Sequence, residues 1–135
     1  MSLGYYAKLY LLTFAAFLAI DGVWLGLVAK NLYRKYLGFL MTPNTVWLAA
    51  LLFYLLYVVG VLVFAVVPGL QAGSLGRTVL LGALLGLIAY ATYDLTNLAT
   101  VKGWPVLITA IDLAWGTVLT AAVAAIGFLI GRWLG

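Results

Sequence analysis

The chain has 135 residues, 67% of them hydrophobic and only 7% charged, and its mean hydropathy is +1.23. A water-soluble domain of this size needs far more surface charge, so the composition calls for one integral membrane domain solvated by lipid. The net charge of +4 comes from scattered bases, which excludes a nucleic-acid partner; the absence of cysteine and histidine excludes disulfides, thiolate chemistry and the usual haem and zinc ligands, so neither metal nor cofactor is expected.

The first apolar run covers about 5–28, with Lys8 near its start. Its apolar core of about 20 residues can cross a bilayer, whereas the hydrophobic part of a signal peptide has about 7–15. Residues 30–41, KNLYRKYLGFLM, place Lys30, Arg34 and Lys35 on one helical face and Leu32, Tyr33, Tyr36 and Leu40 on the other. That pattern predicts a short amphipathic helix lying in the membrane interface. Thr42-Pro43-Asn44 should stop it and cap the next helix.

The second span, about 45–67, is uncharged and bulky with a single glycine, Gly60; Pro68-Gly69 should end it, followed by a loop to Arg77. The third span covers about 78–99. Val101-Lys102-Gly103 predicts a tight turn, and Trp104-Pro105 opens the fourth span, about 104–130, which Arg132 and Trp133 anchor. The expected fold is therefore all-α: a polytopic four-transmembrane-helix bundle, with an interfacial helix between helices one and two. An even number of crossings puts both termini on one side, here side A, and residues 30–44 and 101–104 on the opposite side, B.

The chain has only three acids, Asp21, Asp94 and Asp112, and all three fall inside these apolar runs. An ionisable group there is costly, and marks a functional-site candidate. Counting about 1.5 Å per residue, Asp21 lies roughly 10 Å, Asp94 roughly 8 Å and Asp112 roughly 12 Å inside side B. Helical spacing gathers Tyr10, Phe17, Asp21 and Trp24 on one face of helix one, Gly86, Tyr90, Asp94 and Asn97 on helix three, and Thr109, Asp112, Gly116 and Thr120 on helix four. The same three helices carry the small-xxx-small pairs Gly22/Gly26, Gly82/Gly86 and Gly127/Gly131, which permit close backbone approach in lipid. Helix two has none, and is expected to stand outside as a lipid-facing buttress. Trp24 and Trp115, one turn from an acid, are expected to wall a shared pocket, and Trp104 and Trp133 to sit in the interfacial belt. Asp94 is expected to draw hydrogen bonds from Tyr90, Tyr93 and Asn97. Lys30, Arg34, Lys35 and Lys102 should face lipid headgroups at side B, against Lys8, Arg77 and Arg132 at side A, a bias that favours side B as cytoplasmic.

Asp21-x-x-Trp24-Leu25-Gly26, Tyr33-x-x-x-Leu37-Gly38, Tyr93-Asp94-Leu95-Thr96-Asn97 through Lys102-Gly103-Trp104-Pro105, and Asp112-x-x-Trp115-Gly116 together resemble the domain-of-unknown-function family 2177, small bacterial predicted membrane proteins. The resemblance covers nearly the whole chain. It implies a four-helix fold in a bacterial inner membrane, and brings no activity, substrate or catalytic residue with it.

Three functional readings follow. The first is a lipid- or amphiphile-binding or accessory membrane protein, whose pocket is built from Asp21, Trp24, Tyr90, Asp94, Asn97, Thr109, Asp112 and Trp115. Its expected partners are membrane lipids, a second copy of the chain or a larger membrane complex. The second is a proton- or cation-coupled transporter or channel-like oligomer, since carboxylates are the usual relay groups inside a membrane. The third, a lipid-modifying enzyme using paired aspartates as acid and base, ranks last, because no nucleophile, phosphate loop or metal-ligand set accompanies the acids. Against all three stands the plainer alternative that the acids only tie helices together, at about 0.6 kcal/mol per polar contact.

Overall fold

A computed structural model describes residues 2–135. It contains four helical spans long and apolar enough to cross a membrane: Leu3–Val28, Trp47–Ala72, Leu75–Thr100 and Val106–Leu134. The first comprises α1 (Leu3–Val23) and a π turn, Trp24–Val28; a single buried residue, Ala29, joins it to α2 (Lys30–Leu37). The second comprises α3 (Trp47–Val61), a π turn at Leu62–Val66, and α4 (Val67–Ala72); the third and fourth are α5 (Leu75–Thr100) and α6 (Val106–Leu134). The surface is the inverse of a soluble protein's. Leu27, Trp47 and Leu56 are 82%, 74% and 71% exposed, as lipid-facing side chains should be. This is an all-helical integral membrane protein with an amphipathic helix, α2, between its first and second spans.

Short connections at 73–74 and 101–105 make the second, third and fourth spans successively antiparallel. α4 ends at Gly73, whose φ of +63° is the left-handed conformation glycine adopts without strain, and Ser74 caps α5 by accepting from the Arg77 amide at 3.0 Å. At side B, Gly103 (φ +79°) turns the chain and Pro105 precedes α6. α6 is the central element. It packs most extensively on α5 and also on α1 and the second half of the second span, while α1 and α5 scarcely meet across the bundle.

Small residues hold the α5–α6 seam together. A Cβ on Gly82 would lie 2.7 Å from the Ala124 Cβ; one on Gly86 would meet the Gly116 carbonyl and lie 2.7 Å from the Thr120 Cβ; one on Gly116 would enter the Tyr90 ring. Gly127 and Gly131 face other helices instead, closing on Val66 and Thr13, and on Leu70 and Tyr5. Gly22 and Gly26 do not take part in packing. Both are exposed, with nothing within 4 Å of an added Cβ, because the buried stripe of α1 runs through Leu9, Thr13, Phe17 and Asp21 at steps of four. The expectation of a Gly22/Gly26 contact is thus corrected.

The second span also differs from the sequence-based expectation, in three ways. It is not an outer buttress along its whole length. Tyr57, Val58, Val61, Leu62, Ala65 and Val66 are buried in the core, and the Tyr57 hydroxyl hydrogen-bonds the Thr120 hydroxyl at 2.7 Å. From Trp47 to Leu56, by contrast, no residue is buried. The helix therefore packs at side A and leans out at side B. Secondly, Pro68 does not end it. The preceding π turn, closed by the Val67 amide on the Leu62 carbonyl, accommodates the proline ring and its missing donor, and the helix continues to Ala72. Gly69 is a packing residue rather than a terminator, since a Cβ there would lie 2.8 Å from the Thr78 Cβ. Thirdly, Thr42 and Asn44 bond each other rather than the helix, and α3 starts without a side-chain cap. α2 itself stops at Leu37, four residues earlier than the amphipathic pattern suggests, with Gly38 opening a turn.

Candidate functional site

Because the 1–2 connection runs from Ala29 to Val46, the side-B ends of the first two spans are free to separate, whereas five residues at 101–105 tether spans three and four. A cavity of about 520 Å³ occupies the resulting space. All four spans and α2 contribute to it: Asp21, Trp24 and Leu25 from the first, Tyr33 from α2, Ala50, Phe53 and Tyr54 from the second, Ala89, Tyr90 and Tyr93 from α5, Asp112 and Trp115 from α6. Of its lining residues, Leu25, Phe53 and Tyr93 are also 41%, 49% and 58% exposed, on the apolar flank of the bundle.

Two carboxylates stand in this cavity, each only 7% exposed. The Tyr33 hydroxyl donates a short hydrogen bond to Asp112 Oδ1 and accepts one from Trp24 Nε1 at 3.2 Å. Burial, and the carboxylate beside it, push the Tyr33 phenol above its usual range, so it remains a donor where an exposed tyrosine would ionise. The Trp115 Nε1–H points to Asp21 Oδ1 at 3.4 Å, a long bond, and the Tyr54 phenol lies alongside the same carboxylate. Trp24 and Trp115 stack on each other with ring centroids 4.3 Å apart and planes inclined by 11°. The stacked pair divides the cavity from a second, apolar groove lined by Ala19, Ile20, Val23 and Val28.

The third acid lies behind the cavity wall. Asp94 is fully buried, and neither of its carboxylate oxygens has a hydrogen-bond partner among the described residues. Its polar neighbours are the Asp112 carboxylate and the Trp104 indole, close by but without hydrogen-bonding geometry. The expected donors do not reach it. Tyr90 packs its ring over Gly116 and faces the cavity, Tyr93 packs edge-on against Trp104 at 5.7 Å, and Asn97 is half-buried beside Tyr93.

The structure therefore gathers Asp21, Trp24, Tyr90, Asp112 and Trp115 around one cavity, puts Asp94 next to Asp112 outside it, and leaves Asn97 and Thr109 apart. Thr109 serves locally, accepting from Trp104 Nε1 at 3.1 Å. Trp104, in the turn between the third and fourth spans, is 8% exposed and held inward by that bond, while Trp133 is 78% exposed. Lys30, Arg34, Lys35 and Lys102 are all exposed at the side-B end, and none of them lines the cavity. Among the described residues there is no group of three acid, histidine or cysteine side chains that could hold a metal ion.

Sequence reasoning missed Tyr33 as a ligand of Asp112, and Ala50, Phe53 and Tyr54 as cavity wall. Tyr33 was legible only as one of the residues that carry the family resemblance; its apolar-face position in α2 gives no hint that its hydroxyl reaches α6. The second-span residues carry no sequence signal, since aromatic side chains in an apolar span serve equally against lipid.

A family model described as "Predicted membrane protein (DUF2177)" matches residues 6–129. The chain belongs to this family. The matched stretch contains every residue that lines the cavity, together with Asp94 and Trp104. No curated protein and no solved structure matches the chain.

Proposed function

We propose that this member of the DUF2177 family is an amphiphile-binding membrane protein, which admits a lipid-like molecule sideways from the bilayer and seats its polar end between Asp21 and Asp112. The observation that carries the reading is the cavity itself. Its volume, about 520 Å³, falls in the range of about 300–1,000 Å³ usual for small-molecule sites, and it combines aromatic walls with a few polar groups. Its mouth is edged by Leu25, Phe53 and Tyr93, which suits an entrant that arrives through hydrocarbon rather than water. The exposed bases of α2 lie at the same end and suit the headgroup layer of a bacterial inner membrane.

Native mass spectrometry of the protein purified in a neutral detergent tests this, comparing wild type with Ala50→Trp. Ala50 lines the cavity on the splayed half of the second span, where a larger side chain can enter the space without crossing a packed seam. A bound species of lipid-like mass retained by wild type and lost from the variant is expected. Retention of the same species by both, or an empty wild type that also takes up no added amphiphile, would refute the reading.

One observation favours a second reading, proton- or cation-coupled transport: Asp94, buried without a partner beside Asp112, is unneeded for a simple binding site. Proteoliposomes under an imposed pH gradient separate the two, since transport requires a flux that Asp94→Asn abolishes.

A further inference from the structure

We infer that the ligand of this cavity is a cationic amphiphile, an amine-bearing molecule whose ammonium group sits between Asp21 and Asp112 and whose chain leaves through the lateral mouth. The inference rests on the amphiphile-binding reading and narrows it to one chemical class.

Charge balance comes first. The cavity lining holds two carboxylates and, among the described residues, no lysine or arginine. Buried carboxylates without a paired cation carry a heavy desolvation cost, which a bound cation offsets by charge-assisted hydrogen bonds. Asp94, whose oxygens have no hydrogen-bond partner among the described residues, stands behind Asp112 and outside the cavity.

Acceptor capacity comes second. An ionised carboxylate has about four acceptor positions on its two oxygens. Asp112 receives Tyr33, and Asp21 receives a long bond from Trp115 with Tyr54 alongside. Both therefore keep acceptor capacity while being more than nine-tenths buried against the cavity. What they lack is donors, and an ammonium group supplies up to three.

The walls decide between kinds of cation. Trp24, Phe53, Tyr54, Tyr90, Tyr93 and Trp115 give six aromatic side chains, whose ring faces attract an organic ammonium and whose area shelters methylene groups. A bare inorganic ion wants several converging oxygens instead, and among the described residues no three acid side chains converge in that way. An anionic headgroup would meet Asp21 and Asp112 head-on, while the bases that could attract it, Lys30, Arg34 and Lys35, face outward.

The test uses the full chain in neutral maltoside micelles, followed by intrinsic tryptophan fluorescence, since Trp24 and Trp115 wall the cavity, and by melting temperature. Octylamine, 1-octanol, octyl phosphate and ethylamine are titrated into wild type, Asp21→Asn, Asp112→Asn, Ala50→Trp and Gly60→Ala. Saturable binding of octylamine is expected, weakened about tenfold or more by either Asn substitution, abolished by Ala50→Trp and unchanged by Gly60→Ala, whose site does not line the cavity and has room for a methyl group. Ethylamine should not saturate, because it lacks the chain. If Asp112→Asn loses the fold with its Tyr33 bond, Asp21→Asn alone carries the test, its donors being Trp115 at 3.4 Å and the Tyr54 phenol alongside. Octanol or octyl phosphate binding as tightly as octylamine, indifferent to the Asn substitutions but lost in Ala50→Trp, overturns the cationic class and leaves amphiphile binding standing. Binding of no probe overturns both.

Discussion

Replacing Gly86 by alanine adds one methyl group at the tightest point of the α5–α6 seam. The new Cβ would press on the Gly116 carbonyl and lie 2.7 Å from the Thr120 Cβ, where carbon pairs rest at about 3.5–4.0 Å. Neither neighbour is the free end of a flexible chain, so the two helices must part by roughly 1 Å. Overpacking of this kind costs about 1–3 kcal/mol, and a backbone carbonyl as the obstacle puts Gly86→Ala at the upper end. Alanine's better helix propensity returns up to about 1 kcal/mol, leaving a net loss of about 2 kcal/mol. For a chain of this length that corresponds to a fall in melting temperature of about 5–10 °C. Gly22→Ala and Gly60→Ala provide the contrast, because both sites are open to 4 Å and only the propensity gain remains. Thermal unfolding of the three variants in one detergent should therefore show Gly86→Ala well below wild type and the other two at or slightly above it. A Gly86→Ala protein as stable as wild type, or a Gly22→Ala protein destabilised equally, would refute the packing argument.

Topology is open to cysteine labelling, which the cysteine-free chain makes clean: cysteines placed at Lys35 and Ser74 should react from opposite sides of sealed vesicles, and reaction from the same side would break the four-span arrangement. Tyr33→Phe removes the donor that ties α2 to α6, and should cost about 1.5–3 kcal/mol, the usual scale for a hydrogen bond to a charged group, read as a lower melting temperature. At the second-span π turn, Pro68→Ala should be close to neutral in thermal unfolding because the helix already passes through this residue, while Gly69→Ala should destabilise by about 1–3 kcal/mol against Thr78; the reverse order would mean that Pro68-Gly69 act as a terminator after all.

The class of the protein, the number of its spans and the position of its acids along them can be read from the residues alone. Those properties depend on the length of apolar runs and on the cost of ionisable groups within them, and neither needs a contact map. The sequence also marked Gly82, Gly86 and Gly116 as packing positions, though not that they close on one another across α5 and α6. Which faces meet emerges only from how the helices pack. In a water-soluble helix the buried face is marked by its apolar stripe, but lipid is as apolar as a core, so a span that is hydrophobic all round hides its inner side. That is why Gly22 and Gly26 look like a contact and are not, and why the packed half of the second span, from Tyr57 onward, passes for a lipid-facing surface. The cavity is tertiary for the same reason. It exists because the first two spans separate at side B and α2 folds back to set Tyr33 against Asp112, which depends on the direction of a helix leaving Ala29 and not on any local spacing.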